Sequence, residues 1–433
     1  MKKISIVMPV HNTGVLLNKS IGTLERQSLQ DFELICVDDA SDDALTLQTL
    51  NSYECRCPFL KTVYLGNRMG AAQARNFGLD IATGEYVIFL DSDDEFDEFL
   101  LETMYNRAIQ NHADICCCGY EEFYEDECGR HSMGIHFPKE SGNAIQEWFD
   151  LKDLDETALT LWTVGPCKLF RRTFILENKI RFQTLSSCND VYFSCMAAIL
   201  AHRICYTKCD RPLIFYRQNV ANQISANRNP ENLLKAVKRL IKDLECRGLY
   251  DDYRNQIIAF LYEHASYELR AGHNKGQCQK FYDDLKQFVM EQDDDIAWIS
   301  PEFLYFRNNL LEQEYDSGWF LVIGDFRAQL EGMADDLVEK LKGYQSIVLW
   351  GMGKRGEAFQ DFCVRMNIDL MGVADRCNRN VGDFTKYGFK IIDKRDALML
   401  SDMIVASNRE IYSLLLTEDS EKQCIDLSQY CPY

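Results

Sequence analysis

The sequence predicts an α/β protein whose N-terminal part is built on a mostly parallel sheet. Three observations carry that expectation. Short runs rich in Ile and Val alternate with helix-period segments over the first ~100 residues. Polar or acidic clusters stand at the ends of three of those runs. The same alternation restarts in the last ~90 residues, after a long stretch of helical pattern.

The elements follow in order. ISIVMPV (4–10) reads as a buried first strand, and Leu16, Leu17, Ser20, Ile21 and Leu24 then recur at helical spacing. ELICVDD (33–39) and KTVYLG (61–66) read as the second and third strands. AAQARNFGLDIA (71–82) predicts a helix with small residues on one face, as close packing on a sheet requires, and EYVIFLD (85–91) predicts a fourth strand. Right-handed crossovers join such strands into one parallel sheet. From about 100 to 218 the pattern is mixed. ADICCCGYEEF (113–123) and RPLIFYR (211–217) are strand-like and flank the helix-like VYFSCMAAILA (191–201). The acidic EEFYEDE (121–127) reads as a solvated hairpin or loop, and Asp94 is followed by an expected helix starting near Glu95.

Asn229-Pro230 resembles an N-cap with Pro at the first helical position. Leu233, Leu234, Val237, Leu240, Ile241 and Leu244 form an apolar stripe behind it. Residues ~229 to ~343 read as several helices without a motif, with QDDD (292–295) as a solvated linker. SIVLWG (346–351), DLMGVAD (369–375) and DMIVAS (402–407) then mark a second, small α/β unit. The expected division is 1–218, 219–343 and 344–433.

A formal net charge of −20 and a pI near 4.9 argue against non-specific nucleic-acid binding and against broad adhesion to an anionic leaflet. The apolar run in MKKISIVMPV is too short for a signal sequence, and no stretch reaches the ~18–20 apolar residues of a membrane helix. The expectation is a cytoplasmic chain with at most peripheral contact at the inner face of a membrane. The 18 cysteines are expected reduced. Cys116, Cys117 and Cys118 read as small core residues. His202, Cys205 and Cys209, with Cys188 and Cys195 upstream, lack a fourth ligand and a recognised zinc spacing.

The chemistry gathers at strand ends. MPVHN (8–12), VDDAS (37–41) and LDSDD (90–94) close three parallel strands, and ligands of open α/β sheets sit at that rim. Core packing does not explain three such clusters, because Asp is rarely buried without a partner.

MPVHN, VDDASDD and NRMGAAQARNFGLDIATGEYVIFLDSDD together resemble the family 2 glycosyltransferases of the GT-A fold, with its DxD motif, over residues 4 to ~94. The resemblance implies an inverting, metal-dependent transfer of sugar from a nucleotide-diphosphate sugar, expected to be a UDP-sugar, to an acceptor hydroxyl. It implies a donor nucleotide site of Pro9, Asn12, Asp38, Asp39, Asn67, Arg75 and Asp91. Within it, Asp39 would accept the uracil imide N–H, Asp38 would support it or contact the ribose, and Asp91 would face the ribose side. Asp93 would coordinate Mn²⁺ or Mg²⁺, hard ions suited to oxygen ligands. For Asp39 the alternative is capping of the next helix, which Ser41 or Asp42 could do equally well.

The same resemblance, continued in GPCKLFRRTF (165–174), IRF (180–182) and PLIFYR (212–217), places the acceptor's base at Asp190 in Asn189-Asp190-Val191-Tyr192-Phe193. Asn189 stands where the family often has Glu. The alternative for Asp190 is capping of the helix from 191. Trp162, Lys168 and Arg217 are candidates for the acceptor or phosphate side, and His11 stands where the family frequently has Tyr. The acceptor could be a saccharide, a lipid-linked sugar or a protein, in surface polysaccharide or glycoconjugate synthesis. A catalytically inactive nucleotide-sugar-binding or scaffolding protein is the alternative.

In the second α/β unit, WGMGKRG (350–356) fits G-x-G-x-x-G after a strand, with Asp375 ending the next strand. It resembles the small Rossmann-like modules of bacterial polysaccharide pathways. Gly351, Gly353, Gly356 and Asp375 are the candidate second nucleotide site, through which a nucleotide could regulate the chain. The plainer alternative is a docking or homo-oligomerisation module whose glycines serve close packing.

Overall fold

A computed structural model describes residues 2–126, 129–137, 147–154, 159, 167–218, 228–271, 275–291, 301–312, 315, 330, 334–351, 354–374, 381–385, 387–407 and 423–427. The chain forms two compact units, Met1–Phe281 and Tyr282–Tyr433.

The first unit is organised by a sheet in the order β10-β6-β9-β4-β1-β2-β3. Its strands are β1 (Ile4–Val10), β2 (Phe32–Asp38), β3 (Leu60–Tyr64), β4 (Tyr86–Phe89), β6 (Ile115–Cys117), β9 (Lys168–Arg171) and β10 (Ile204–Tyr206). All pair in parallel except β9, which runs antiparallel to β4 and β6. β1, β2 and β4 are buried on both faces, which is why they read as unbroken apolar runs rather than alternating ones. Register places Val10 beside Asp38, so the segments after β1 and β2 leave the sheet at one rim.

Helices α1 (Val15–Glu25), α2 (Ala44–Arg56) and α3 (Ala71–Ile81) are the crossovers. The small face of α3 has a direct cause. A Cβ on Gly78 would stand 2.3 Å from Val7 Cγ1, so α3 lies on β1 at a distance that only glycine permits.

A second sheet in the same unit runs β5-β11-β7-β8, with β5 (Glu95–Phe96), β7 (Tyr120–Asp126), β8 (Gly129–His136) and β11 (Ile214–Arg217). The run 113–123 is therefore two strands in two sheets, not one. The chain leaves β6 at Cys118-Gly119, and Leu213 N–H donates to the Gly119 carbonyl, drawing the next segment toward β11. The acidic stretch forms the hairpin β7–β8. Glu95 begins β5 rather than a helix, and α4 (Leu100–Gln110) starts only five residues later. α5 (Arg172–Glu177) and α6 (Val191–Leu200) follow β9, and α7 (Glu231–Glu245) and α8 (Tyr250–Ala271) complete the unit up to α9 (Lys275–Glu291).

After α10 (Pro301–Glu312), the second unit holds a parallel sheet of β12 (Ile347–Trp350), β13 (Gly372–Ala374), β14 (Ile391–Ile392), β15 (Met403–Ala406) and β16 (Gln423–Asp426), in the order β14-β13-β12-β15-β16. Among the described residues no helix is long and apolar enough to cross a membrane.

Candidate active site

The three strand-end clusters meet at the carboxyl rim of the first sheet. Asn12 sits just beyond β1 with φ 49°, a left-handed conformation that Asn tolerates better than most residues. Its side-chain oxygen accepts the N–H of Asp42 (2.9 Å) and Asp43 (3.2 Å), and its Nδ2 donates to Asp42 Oδ1 (2.6 Å). Asn12 thereby ties the β1 loop to the β2 loop. Pro9 lies in β1 opposite Val37, and His11 Nδ1 is 2.9 Å from the Asp39 carbonyl.

Asp39 does not cap α2. Asp43 does, through the N–H groups of Leu45 and Thr46, and neither Ser41 nor Asp42 is needed for it. The Asp39 carboxylate instead accepts the N–H of Met69 (2.6 Å) and Gly70 (2.8 Å), closing the loop before α3. Asp38 is buried; one oxygen accepts the Ser41 N–H at 3.2 Å and the other has no hydrogen-bond partner. A buried acceptor left open in this way is uncommon. Asn67 is exposed on the same loop as Met69.

In the DSDD turn, Asp91 and Asp93 are partly exposed while Asp94 is buried. Ser20 lies against the carbonyls of Ser92 and Asp94, and Thr13 bonds Ser92, so α1 holds the turn from below. Asp94 accepts the Arg217 N–H at 2.9 Å, and its second oxygen has no partner. Burial, with Asp93 and Asp91 close by, pushes the Asp94 carboxyl well above its ordinary range. The donor set here is all oxygen, which suits a hard divalent ion. Among the described residues no group of three His, Cys, Asp or Glu is arranged to hold a metal by itself. An ion at Asp93 would therefore need phosphate oxygens to complete its coordination.

Arg217 has a different task from the acceptor or phosphate contact anticipated for it. It is buried; its guanidinium pairs with Glu95 and with Glu125 (2.6 Å), and Nε donates to the Asp93 carbonyl at 3.1 Å. It clamps the DSDD turn to the second sheet.

Arg75 links the donor rim to the segment before α6. Its guanidinium donates to Asp91 Oδ1 at 2.7 Å and to Asn189 Oδ1 at 3.0 Å. Burial opposes its charge, but Asp91 and Asp190 outweigh that and hold it firmly protonated. The next residue, Asn76, grips the backbone of Phe182 in both directions, at 2.9 Å each. An aromatic cluster lies beneath. Phe182 stacks on Phe193 with centroids 4.0 Å apart, and Phe89 of β4 meets both edge-on. Each such pair is worth about 0.5–1.5 kcal/mol beyond the area it buries. The strand that ends in DSDD and the helix that begins after Asp190 thus share one core.

Asp190 directly precedes α6, yet its side chain makes no capping bond. The capping alternative is not what the structure displays. Burial raises the Asp190 carboxyl above its ordinary value, with the charges of Arg75 and Lys168 opposing it. Lys168 itself is buried on β9. Tyr216 of β11 was not singled out by sequence. The residue after it, Arg217, donates its N–H to Asp94, and burial with the carboxylates of Asp91, Asp94 and Asp93 pushes the Tyr216 hydroxyl well up. Asn76 and Asn189 belong to the sequence motifs at 67–78 and 189–193, but only their partners reveal their tasks.

Trp162 lies outside the described residues, as do Gly353 and Asp375 of the second unit. Gly351 has φ 108°, and a Cβ on Gly356 would stand 2.0 Å from the Gly351 carbonyl oxygen. Close packing between strand and helix therefore accounts for Gly356 by itself. The thiols of Cys116, Cys117, Cys118, Cys195 and Cys205 are buried core groups.

Residues 5–177 match the family described as Glycosyl transferase family 2. The chain is 27% identical, over 71% of its length and 49% of the relative's, to a poly(ribitol-phosphate) beta-glucosyltransferase of Bacillus spizizenii. It is 33% identical, over 43% of its length and 54% of the relative's, to the poly(ribitol-phosphate) beta-N-acetylglucosaminyltransferase TarP of Staphylococcus aureus. It thus spans about half the length of these two relatives. A cholesterol galactosyltransferase of Borreliella burgdorferi is 28% identical over 60% of this chain and 74% of its own. Among solved structures, residues 1–349 of S. aureus TarS in complex with UDP-GlcNAc superpose with a TM-score of 0.61 at 19% identity, covering 77% of this chain and 92% of that one. That likeness speaks for the fold. Residues 5–177 thus carry the match to glycosyl transferase family 2, in a unit that has the GT-A fold.

Proposed function

We propose that this chain transfers a sugar, with inversion, from a UDP-sugar to an acceptor hydroxyl, using Asp190 as base and a divalent ion, Mn²⁺ or Mg²⁺, held at Asp93. The observation that carries the reading is the Arg75 bridge, which joins Asp91 of the donor rim to the Asn189-Asp190 turn through bonds of 2.7 and 3.0 Å. A cation in that place sets donor and acceptor groups in one fixed geometry, which is the main requirement for displacement at a sugar carbon.

Asp38 keeps a buried, unpartnered acceptor at the end of β2, and Asp39, although engaged by Met69 and Gly70, keeps a lone pair on each oxygen for the nucleotide. Pro9, Asn12 and Asn67 border the same rim. Asp190 takes the acceptor proton as the acceptor oxygen bonds to the anomeric carbon. The bond from that carbon to the diphosphate breaks on the opposite face, and its electron pair leaves with the phosphate. When bound, the ion supplies positive charge for the leaving diphosphate. Burial raises the Asp190 carboxyl, which makes it a stronger base than an exposed aspartate. As acceptor we propose a hydroxyl of a surface glycopolymer met at the cytoplasmic face, on the strength of the poly(ribitol-phosphate) named for two relatives.

UDP release from UDP-GlcNAc, UDP-glucose and UDP-galactose with Mn²⁺ tests the reading. Asp93→Ala is expected to abolish it, as is chelation. Release that survives both rejects the metal role. The Gly351–Gly356 turn remains a proposed second nucleotide site, and UDP calorimetry giving one site per chain removes it.

A further inference from the structure

Helices α7 and α8 carry no sequence motif, yet both hold the turn that ends at Asp190. Ser187 Oγ donates to the Asn229 carbonyl (3.2 Å) and accepts the Asn229 N–H (3.1 Å) just before α7. Asn232 Nδ2 reaches Ser186 Oγ at 2.9 Å and Ser187 Oγ at 3.2 Å. The next residue, Cys188, has φ 53°, a left-handed backbone that a residue with a Cβ adopts only when its surroundings impose it. Its thiol donates to Glu268 Oε1 of α8 at 3.5 Å, and the same oxygen accepts Arg228 Nη1 at 2.5 Å. Glu268 is 2% exposed, and its other oxygen has no hydrogen-bond partner.

Stability is a poor explanation for this pair. Burying the Glu268 carboxylate and most of the Arg228 side chain offsets much of their attraction, and an apolar pair of similar volume commonly serves the fold as well or better. An acceptor left open adds to the cost. What the pair does provide is a fixed anchor two residues before Asp190, next to the Asn189 that Arg75 holds.

We propose that Glu268, held by Arg228, is a positioning residue that locks the Cys188–Asp190 turn so that Asp190 meets the acceptor hydroxyl. This rests on the reading of Asp190 as base.

The test compares kcat, donor KM and UDP affinity in three variants of the full chain, using the UDP-sugar that turns over fastest in the panel above. The double variant Glu268→Leu/Arg228→Met keeps the volume and removes both charges. It is expected to bind UDP within about twofold of the parent and to lose about tenfold in kcat with donor KM little changed. Glu268→Gln, which keeps an acceptor for Cys188 and Arg228, is expected to recover most of that loss. Parental kcat in the double variant overturns the proposal, and so does loss of UDP binding, which would make the pair merely structural. Asp190→Asn runs alongside. If it keeps turnover, the base reading fails. If it loses turnover while the double variant does not, only the positioning role fails.

Discussion

The donor rim and the acceptor turn of the N-terminal unit are built by different means. The rim is made by backbone. Strand ends deliver the side chains; Asp39 and Asn12 are fixed by N–H groups of the neighbouring loops, and Asp43 by those of the first turn of α2. The acceptor turn is made by side chains from distant segments. Arg75 and Asn76 reach it from α3, Asn232 from the start of α7 and Glu268 from α8, while Ser187 of the turn bonds the Asn229 backbone. A site assembled from local backbone tolerates change around it. One assembled from long-range side chains transmits each change to the reacting group.

The sharpest way to break that contrast is Asp190→Ala. Loss of a general base costs about 10²–10⁴-fold, so kcat is expected to fall by roughly 10³ while UDP affinity measured by calorimetry holds. If UDP binding falls in step, the two halves are not separable. Arg75→Met attacks the bridge itself. Hydrogen bonds to charged partners are worth about 1.5–3 kcal/mol, so a loss on the order of 10–10² in kcat/KM is expected. It also carries a signed pH effect. Burial raises the Asp190 carboxyl, Arg75 and Lys168 pull it down, and Asp91 pushes it up. Without Arg75 the carboxyl holds its proton to higher pH, so the acid limb of kcat/KM should move upward. A limb that stays or moves down rejects Asp190 as the group being titrated.

Two smaller effects sharpen the comparison through stability. Gly78→Ala forces a methyl to 2.3 Å from Val7 Cγ1, and overpacking of this kind costs about 1–3 kcal/mol. The melting temperature should drop, with donor KM changed more than kcat in whatever remains folded. The smallest effect concerns His264 on α8. Burial, with the Arg228 charge adding to it against the hydrogen bond to the Phe260 carbonyl, lowers the imidazole to about 4. An unfolded imidazole takes up its proton near 6.5, so acidification from about 6.5 toward 4 favours the unfolded chain. His264→Gln should flatten the melting temperature over that window, and an unchanged slope would reject the assignment.

Much of the donor rim was legible in the sequence because its causes are local. Buried parallel strands show as Ile- and Val-rich runs, and a polar cluster at each strand end marks the rim. The small face of α3 was legible for the same reason, since Gly78 and Ala74 can be read as close packing without knowing against what. Legibility fails where a partner is distant. Residues 113–123 read as one strand because each half has strand composition, and only pairing with β9 and β11 divides them. Arg217 suited a phosphate until Glu95 and Glu125 appeared beside it. Asp190 reads as the base with a helix cap as its alternative, and the missing capping bond decides against the cap.

By itself, then, the sequence determined the α/β alternation, the order of the strand-end motifs and the family they resemble, because periodicity and turn chemistry act over a few residues. Only the tertiary structure decided that Arg75 spans Asp91 and Asn189, that Asp39 holds the loop before α3, and that the motif-free α8 sends Glu268 to the turn before Asp190. These are contacts between segments 16 to 114 positions apart, and the energies that select them come from burial and pairing in the folded chain, which no local pattern encodes.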